Sequence, residues 1–177
     1  MKSDFYIQIA KSNAHRLSRD SNCDAALKTA GNLTELFAIC FDLDDKIHFK
    51  GCWTLELVVE QNIVVILPYL DTFCDTISKY KHDSAIRPMS KICMLVSKNK
   101  SLSLTELQEE KMIETCLDWL IQDEKVATKA YAMRALYNFS KKYSWINAEL
   151  KTILSQDYAN HSPAYKAAAK DVLKRLK

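Results

Sequence analysis

Apolar residues recur along much of the chain at the spacing of an α-helix that is buried on one side. The clearest example is the segment EEKMIETCLDWLIQ, residues 109–122. Its apolar residues fall at positions i, i+1, i+4, i+7 and i+8, and they are Met112, Ile113, Cys116, Trp119 and Leu120. Because this spacing puts them on one face about two turns long, it predicts an amphipathic helix that turns this face to a core.

Two helix starts can be predicted from the residues that precede apolar stretches. Thr105 and Gln108 have the spacing of a capping box, in which each side chain accepts a hydrogen bond from the other residue's backbone N–H. Ser162 followed by Pro163 has the pattern of an N-cap residue and a first helical residue. We therefore expect helices to begin just after Thr105 and just after Ser162.

Four segments can be aligned as repeated helices. They read KIHFKGCWTLELVVEQN, DSAIRPMSKICMLVSKN, EKVATKAYAMRALYNFSKK and SPAYKAAAKDVLKRLK. Each has a basic residue near its start, at separations of 37, 42 and 37 positions, and these four form the basic ladder: Lys50, Arg87, Lys129 and Lys166. Seven positions further on, the same helical face carries an apolar residue: Leu57, Met94, Leu136 and Leu173. Because another amphipathic segment precedes each helix, the pattern predicts helix–turn–helix units with a period of about 40 residues, stacked as an α-solenoid.

Acidic residues precede the basic residue in most of these turns, and this pattern resembles the HEAT-like repeat family. The clearest instances are Asp44 and Asp45 before Lys50, Asp83 before Arg87, and Asp123 before Lys129. The fourth unit has His161 and Ser162 instead, which suits a terminal repeat. The repeats are also similar to those of HEAT-like proteins from bacteria.

The resemblance implies an all-α fold, a right-handed α-α superhelix of about four HEAT-like helix pairs with an N-terminal helical cap. The pairs are expected at residues 32–60, 62–98, 104–142 and 144–177, with the cap at residues 1–31 and a single domain overall. The resemblance also implies that the basic ladder is structural, with each member paired to the acidic turn of its own or the next repeat. Membership of a binding strip is the alternative role for the ladder.

Two prolines lie inside the second predicted pair. Pro88 follows Arg87 within an otherwise helical segment, where its ring would remove a backbone hydrogen bond. We therefore expect the second helix of this pair to start late or irregularly, with Asp83 capping the turn. Pro68 predicts a similar irregularity in the first helix of the pair.

The low glycine content narrows the function classes. The chain contains only Gly31 and Gly51, so neither a multi-stranded sheet with tight turns nor a glycine-rich phosphate loop is expected. The four histidines are scattered without metal-ligand spacing, and the cluster DLDDK at residues 42–46 is interpreted as an inter-helix turn. The sequence therefore predicts no catalytic residue, no cofactor and no metal site.

The six cysteines are spaced at least twelve residues apart and form no CxxC motif. Most of them lie among apolar neighbours, where a free cysteine behaves as a small hydrophobic residue. Reduced thiols and a cytoplasmic location are therefore expected. The chain shows neither a signal-peptide pattern nor an apolar stretch of membrane-spanning length, and we expect no membrane partner.

Charge is distributed unevenly along the chain. The formal net charge is +3, of which residues 1–90 contribute −2 and residues 91–177 contribute +5. Four basic residues lie one or two turns beyond the ladder positions on the predicted polar faces, and they form the candidate binding strip: Lys91, Arg134, Lys170 and Lys174. Such a strip would attract an acidic protein or a nucleic acid.

The resulting hypothesis is a non-enzymatic binding or scaffold protein that uses the concave face of a short α-solenoid. A protein is the favoured class of partner. The alternative is a nucleic-acid-binding protein or a DNA glycosylase-like enzyme acting on modified bases. The resemblance implies this alternative, because some bacterial HEAT-like proteins are DNA glycosylases that use aromatic and carboxylate groups. Two such pairs occur in the sequence: Trp53 with Glu56, and Trp119 with Asp118. Because Trp119 lies on an apolar stripe, core packing is the favoured interpretation of that residue.

Overall fold

The computed structural model describes residues 2–156 and 158–176, and within them the chain forms α-helices and 3-10 helices but no strand. The α-helices are α1 (Asp4–Lys11), α2 (Arg16–Lys28), α3 (Ala30–Phe41), α4 (His48–Gln61), α5 (Leu70–Thr76), α6 (Asp83–Lys98), α7 (Glu106–Ile121), α8 (Val126–Phe139), α9 (Trp145–Ser155) and α10 (Pro163–Arg175). The 3-10 helices are Ile63–Tyr69, Ile77–Lys79 and Tyr158–Asn160. The predicted all-α fold is confirmed, whereas the handedness of the superhelix stays a prediction.

The chain divides into two compact units, residues 1–92 and residues 93–177, and the boundary falls within α6. In the first unit, α2 packs against both α3 and α4, and α1 contacts all three of these helices. The centre of its core is fully buried, and it includes Ile9, Leu36, Phe37, Leu55 and Phe73. The predicted cap segment therefore contributes directly to the core of this unit through Ile9.

In the second unit, α8 lies at the centre and packs against α7, α9 and α10. Buried alanines lie on the two helices that meet there: Ala132 and Ala135 on α8, and Ala168 and Ala169 on α10. Short side chains allow close approach of the helix backbones, and larger residues such as Met112, Met133 and Leu150 fill the surrounding core. Trp119 is only 4% exposed, which confirms its predicted place in this core.

Both predicted helix starts are confirmed. Thr105 caps α7 in a capping box, because its hydroxyl accepts from Gln108 N–H at 3.2 Å and the Gln108 side chain accepts from Thr105 N–H at 3.0 Å. Ser162 caps α10 by accepting from Tyr165 N–H at 3.3 Å, and Pro163 is the first helical residue. These signals are local, so they could be read directly from the sequence.

The expectation of a late start for α6 is wrong. The helix begins at Asp83, so Pro88 lies in its interior, and Asp83 is the first helical residue rather than the cap. The ring Nδ1 of His82 accepts from Ser84 N–H at 3.1 Å, and its backbone C=O accepts from Ala85 N–H at 2.7 Å and from Ile86 N–H at 3.0 Å. Pro88 is buried, as are Ile86 and Met89, so apolar packing offsets the backbone hydrogen bond that the proline ring removes.

The predicted irregularity around Pro68 is confirmed. This part of the chain is a 3-10 helix (Ile63–Tyr69), a short α5 and a second 3-10 helix, rather than one continuous α-helix. Tyr69, directly after the proline, stacks on Phe37 of α3 with ring centroids 3.8 Å apart. The irregular segment is therefore anchored to the core of the first unit by an aromatic contact.

Helices α3 and α4 approach each other closely at Gly51. A Cβ atom at this position would lie 2.9 Å from Cγ2 of Ile39 and 3.1 Å from Sγ of Cys40. Such distances are too short for ordinary packing, so this contact requires glycine. Gly31 differs, because the nearest side-chain atom would be 3.9 Å away, on Thr29.

Within the described residues, no single helix has the length and apolar character needed to cross a membrane. Two consecutive segments, His48–Gln61 and Ile63–Lys79, together have the length and apolar composition of a membrane span, but the chain bends by 120° between them.

Candidate binding surface on α2, α4 and α6

One face of α4 carries aromatic and acidic residues in a row. Phe49, Trp53, Glu56 and Glu60 follow one another at intervals of three or four residues, so they share one side of the helix. Trp53 is half-buried while its neighbours from Gly51 to Val59 are buried, which makes it the point at which the middle of α4 reaches the surface. The basic residues that meet this face come from α2 and α6.

Glu56 is the centre of an ionic cluster although only 3% of its surface is exposed. Its Oε2 accepts from Nη2 of Arg87 at 2.7 Å and lies 3.2 Å from Nη2 of Arg19. Its Oε1 accepts from Nζ of Lys91 at 3.1 Å. A buried carboxylate is costly unless it is paired and hydrogen-bonded, and three cations from two neighbouring helices meet that requirement.

Lys91 is held between two carboxylates. Its Nζ also donates to Oε2 of Glu60 at 2.9 Å, so it bridges Glu56 and Glu60 on α4. Burial of the Lys91 side chain opposes its charged form, but the hydrogen bonds and charges of Glu60 and Glu56 raise the pKa of Lys91 above its ordinary value. Lys91 is therefore a fixed cation within the cluster.

The α4 ionic cluster, defined as Arg19, Glu56, Glu60, Arg87 and Lys91, contains three cations and two carboxylates. Arg19 also donates to the backbone oxygen of Trp53 at 3.3 Å, while its Nε is buried without a hydrogen-bond partner. The Arg87 side chain is 31% exposed, compared with 15% for Arg19 and Lys91. The surplus positive charge is consequently most accessible at Arg87.

Aromatic rings lie beside this charge. Phe49 packs edge-on against Trp53 with ring centroids 5.2 Å apart, and the ring of His82 stacks on Phe49 at 4.4 Å. His82 directly precedes α6, and Arg87 follows within its first turns. Because Arg87 pairs with Glu56, one turn along α4 from Trp53, the accessible guanidinium group and the aromatic rings belong to the same face of α4.

A groove with the opposite charge lies at the other end of the row. Its volume is about 400 Å³, and its charged lining residues are Arg16, Asp20, Asp24 and Glu60. Arg16 forms an ion pair with Asp20 at 2.8 Å and Glu60 pairs with Lys91, so Asp24 gives the lining of the groove a surplus of one negative charge. The surface is thus cationic at its Arg87 end and anionic beyond Glu60.

The candidate binding strip is not assembled as predicted. Lys91 belongs to the α4 ionic cluster of the first unit, so its prediction as an unpaired strip residue is wrong. Arg134 on α8 and Lys170 and Lys174 on α10 belong to the second unit, and their side chains form no ion pair with any described residue. Lys170 and Lys174 are exposed and Arg134 is half-buried, so these three stay candidates for binding.

The basic ladder makes different contacts from those that the resemblance implies. Nζ of Lys50 donates to the backbone oxygen of Ala10, Arg87 pairs with Glu56, and Nζ of Lys166 donates to the backbone oxygen of Ala159. Lys129 is half-buried and forms no hydrogen bond from its side chain within the described residues. Pairing with the acidic turns is therefore wrong for the three members whose partners are seen.

One acidic turn has a partner that the repeat pattern does not reveal. The carboxylate of Asp45 accepts from the Tyr6 hydroxyl at 2.8 Å and from Ile47 N–H at 3.0 Å, and lies 3.6 Å from Nζ of Lys2. Partial burial opposes the charged form, but these hydrogen bonds and the Lys2 charge lower the pKa of Asp45. The turn is therefore fastened to α1 and not to Lys50.

The two aromatic–carboxylate pairs do not form a reaction cleft. Trp119 is buried while its neighbour Asp118 is exposed, and Glu56 beside Trp53 is occupied by three cations. All six cysteines are buried and none forms a disulfide, and the described part of the chain contains no group of three His, Cys, Asp or Glu residues able to hold a metal ion. What the geometry provides instead is a fixed arrangement of charges and rings suited to binding.

The sequence indicated parts of this site but not its organisation. Trp53 near Glu56 was visible as a local pair, whereas Arg19 and Arg87 lie 37 and 31 positions from Glu56 along the chain. A usable signal was the spacing of Glu56 and Glu60 with Arg87 and Lys91, because each pair is four residues apart on one helical face.

Stacked helix pairs with a shared core and an exposed polar face define the class of helical-repeat proteins. The chain belongs to the HEAT repeat domain family, whose model matches residues 8–176. The match includes much of the segment that the repeat pattern alone assigned to a cap, and that assignment stays a prediction. Comparisons with curated proteins and with solved structures gave no match.

Proposed function

We propose that the protein is a non-catalytic binding protein that recognises an acidic segment of a protein partner on the surface formed by α2, α4 and α6. The observation that carries this proposal is the fixing of Arg87 by buried Glu56, beside the rings of Phe49 and Trp53. Membership of the HEAT repeat family supports the coarser statement that the chain is a helical-repeat scaffold or binding protein.

The chemistry of the surface supports a protein partner. Tryptophan and arginine are enriched among the residues that dominate the energy of protein interfaces. Glu56 holds Arg87 in place before any partner arrives, so less side-chain entropy is lost on binding. A carboxylate of the partner would pair with the exposed part of Arg87, while an apolar side chain next to it would pack on Trp53.

The neighbouring acidic groove favours a protein over a nucleic acid. Asp24 adds a negative charge that the other lining residues do not balance, so this groove would repel the phosphates of a long polyanion that crosses the surface. A protein segment with a short acidic stretch can place its carboxylates at Arg87 alone. A partner with basic residues further along would also complement the groove.

The proposal can be tested by capture of partners from an extract of the source cells on the immobilised chain. Arg87→Met removes the accessible charge and retains side-chain length, while Glu56 keeps Arg19 and Lys91 as partners. We expect the captured protein to be reduced at least about tenfold, as for loss of a dominant interface residue. Lys28→Met is the matched control, because Lys28 is exposed at the end of α2.

Two results would contradict the proposal. The first is equal capture by the wild-type chain and by folded Arg87→Met. The second is capture that disappears after nuclease treatment, since the alternative of nucleic-acid binding would then hold. A reducing, cytoplasmic location is part of the proposal, and six buried cysteines that form no disulfide support it.

A further inference from the structure

A lysine-rich cavity lies in the second unit, where α6 and α8 end. Its volume is about 310 Å³, and four lysines line its polar side: Lys98, Lys100, Lys141 and Lys142. Its apolar lining includes Leu102 and Phe139, both of which are nearly fully buried. The cavity therefore combines exposed positive charges with an apolar wall.

We propose that this cavity binds a small phosphate monoester whose organic group is apolar. The phosphoryl group would interact with the lysine ammonium groups, and the organic group would pack against Leu102 and Phe139. Nothing in this proposal depends on the surface of α2, α4 and α6, because the residues involved all belong to the second unit.

The positive charge of the four cavity lysines exceeds the negative charge of the acidic side chains that line the cavity. Glu109 is the one acidic residue of the lining, and its Oε2 accepts from both Nζ of Lys142 and the hydroxyl of Tyr143. Lys98, Lys100 and Lys141 form no ion pair with the described residues, and Nζ of Lys141 lies over the ring of Tyr137. One carboxylate among four lysines leaves a formal charge of +3 on the lining.

Helix dipoles reduce this charge but do not cancel it. The C-termini of α6 and α8 each contribute the equivalent of about −0.5 charge and the N-terminus of α7 contributes about +0.5, so about +2.5 remains. A phosphate monoester carries about −1.5 to −2 at neutral pH, which matches that remainder better than a single carboxylate does. Lysine ammonium groups are point charges that suit a phosphoryl group, whereas bidentate pairing with a carboxylate is typical of arginine.

Side-chain hydrogen bonds hold the frame of the cavity in place. Nδ2 of Asn138 on α8 donates to Oγ of Ser97 on α6 at 3.1 Å, which ties the two helix ends together. Oδ1 of Asn99 accepts from Ser101 N–H at 2.9 Å, so the loop after α6 is also fixed. The volume lies at the lower end of the range of about 300 to 1,000 Å³ that is typical of small-molecule sites, which favours a compact ligand.

Phenyl phosphate is a suitable probe, because it joins a phosphoryl dianion to a flat apolar ring. We expect its titration into the isotope-labelled full chain to shift the amide resonances of residues 96–102 and 138–142. Inorganic phosphate tests the anionic part alone and phenol the apolar part alone. We expect inorganic phosphate to bind roughly tenfold more weakly and phenol to leave these resonances unchanged.

Variants then assign the binding to the cavity. Lys98→Met and Lys141→Met should each weaken phenyl phosphate binding at least about tenfold, whereas Lys28→Met in the first unit should have no effect. These lysines are exposed, so an unchanged amide spectrum elsewhere would show that the variants are folded. The proposal is overturned if phenyl phosphate shifts no resonance of the cavity, if inorganic phosphate binds equally well, or if both lysine variants bind as the wild type does.

Discussion

In the first unit, Arg19, Arg87 and Lys91 converge on the buried carboxylate of Glu56, whereas in the second unit Lys170 and Lys174 extend into solvent. The helices that carry these residues are joined differently. An ionic cluster connects α4 with α2 and α6, while alanines allow α8 and α10 to pack closely. The comparison shows that burial of one carboxylate determines whether neighbouring basic residues are fixed, because a charge removed from water must be paired.

The largest effect is expected for Glu56→Gln. Loss of this carboxylate leaves Arg19, Arg87 and Lys91 close together with one remaining counter-charge, so the free energy of unfolding should fall by about 3 kcal/mol. Urea denaturation measures this change. Glu60→Gln is the control, because its side chain is 43% exposed and, among the described residues, forms an ion pair with Lys91 alone, and it should cost about 1 kcal/mol or less. Equal losses for the two variants would mean that the buried carboxylate does not organise the cluster.

An intermediate effect is expected for Ala169→Leu in the second unit. Ala169 is fully buried on α10, and a leucine there must push apart helices that are already in contact, at a cost of about 2 kcal/mol. Ala167→Leu lies on the exposed side of the same helix and should change stability by less than about 0.5 kcal/mol. Thermal or urea unfolding of both variants tests whether apolar packing joins α10 to its neighbours; an unaffected Ala169→Leu would refute it.

The smallest of these effects concerns the pH dependence of stability. The pKa of Asp45 is lowered in the folded chain, so its contribution is fully present above the ordinary aspartate pKa and is lost as the pH falls through the folded value. The difference in unfolding free energy between the wild type and Asp45→Asn should therefore shrink as the solution is made acidic. Asp44→Asn removes an exposed carboxylate of the same turn and is the control. A difference that stays constant down to strongly acidic pH would contradict this account of Asp45.

Local features of the fold could be predicted from the sequence, and long-range ones could not. The capping box of Thr105 and Gln108 depends on residues three positions apart, and so does the cap of α10 by Ser162. The partners of Lys50 and Arg87 lie 40 and 31 positions away along the chain. The repeat pattern, in contrast, indicates only the nearby acidic turns as partners. Pro88 misled the interpretation of α6 for a related reason, because the burial of its neighbours depends on tertiary contacts.

The candidate site shows the same limit. Lys91 occupies a polar face of α6, as its spacing indicated, but that face lies against Glu56 and Glu60 of α4. Periodicity identifies which residues share a face, yet it cannot say whether a facing helix supplies opposite charges. Lys170 and Lys174 had the same signal in the sequence and are exposed in the structure.

Pro88 has a consequence for how α6 moves. Because the proline has no N–H, the carbonyl oxygen of Ser84 lacks its usual donor four residues on, and the bonds to His82 help to hold the first turn. That turn can open without disturbing the hydrogen bonds further along the helix, so its fluctuations should be faster than those of the rest of α6. Arg87 is located at this junction, and its guanidinium group is held there by Glu56 of α4 while the backbone turn before it opens.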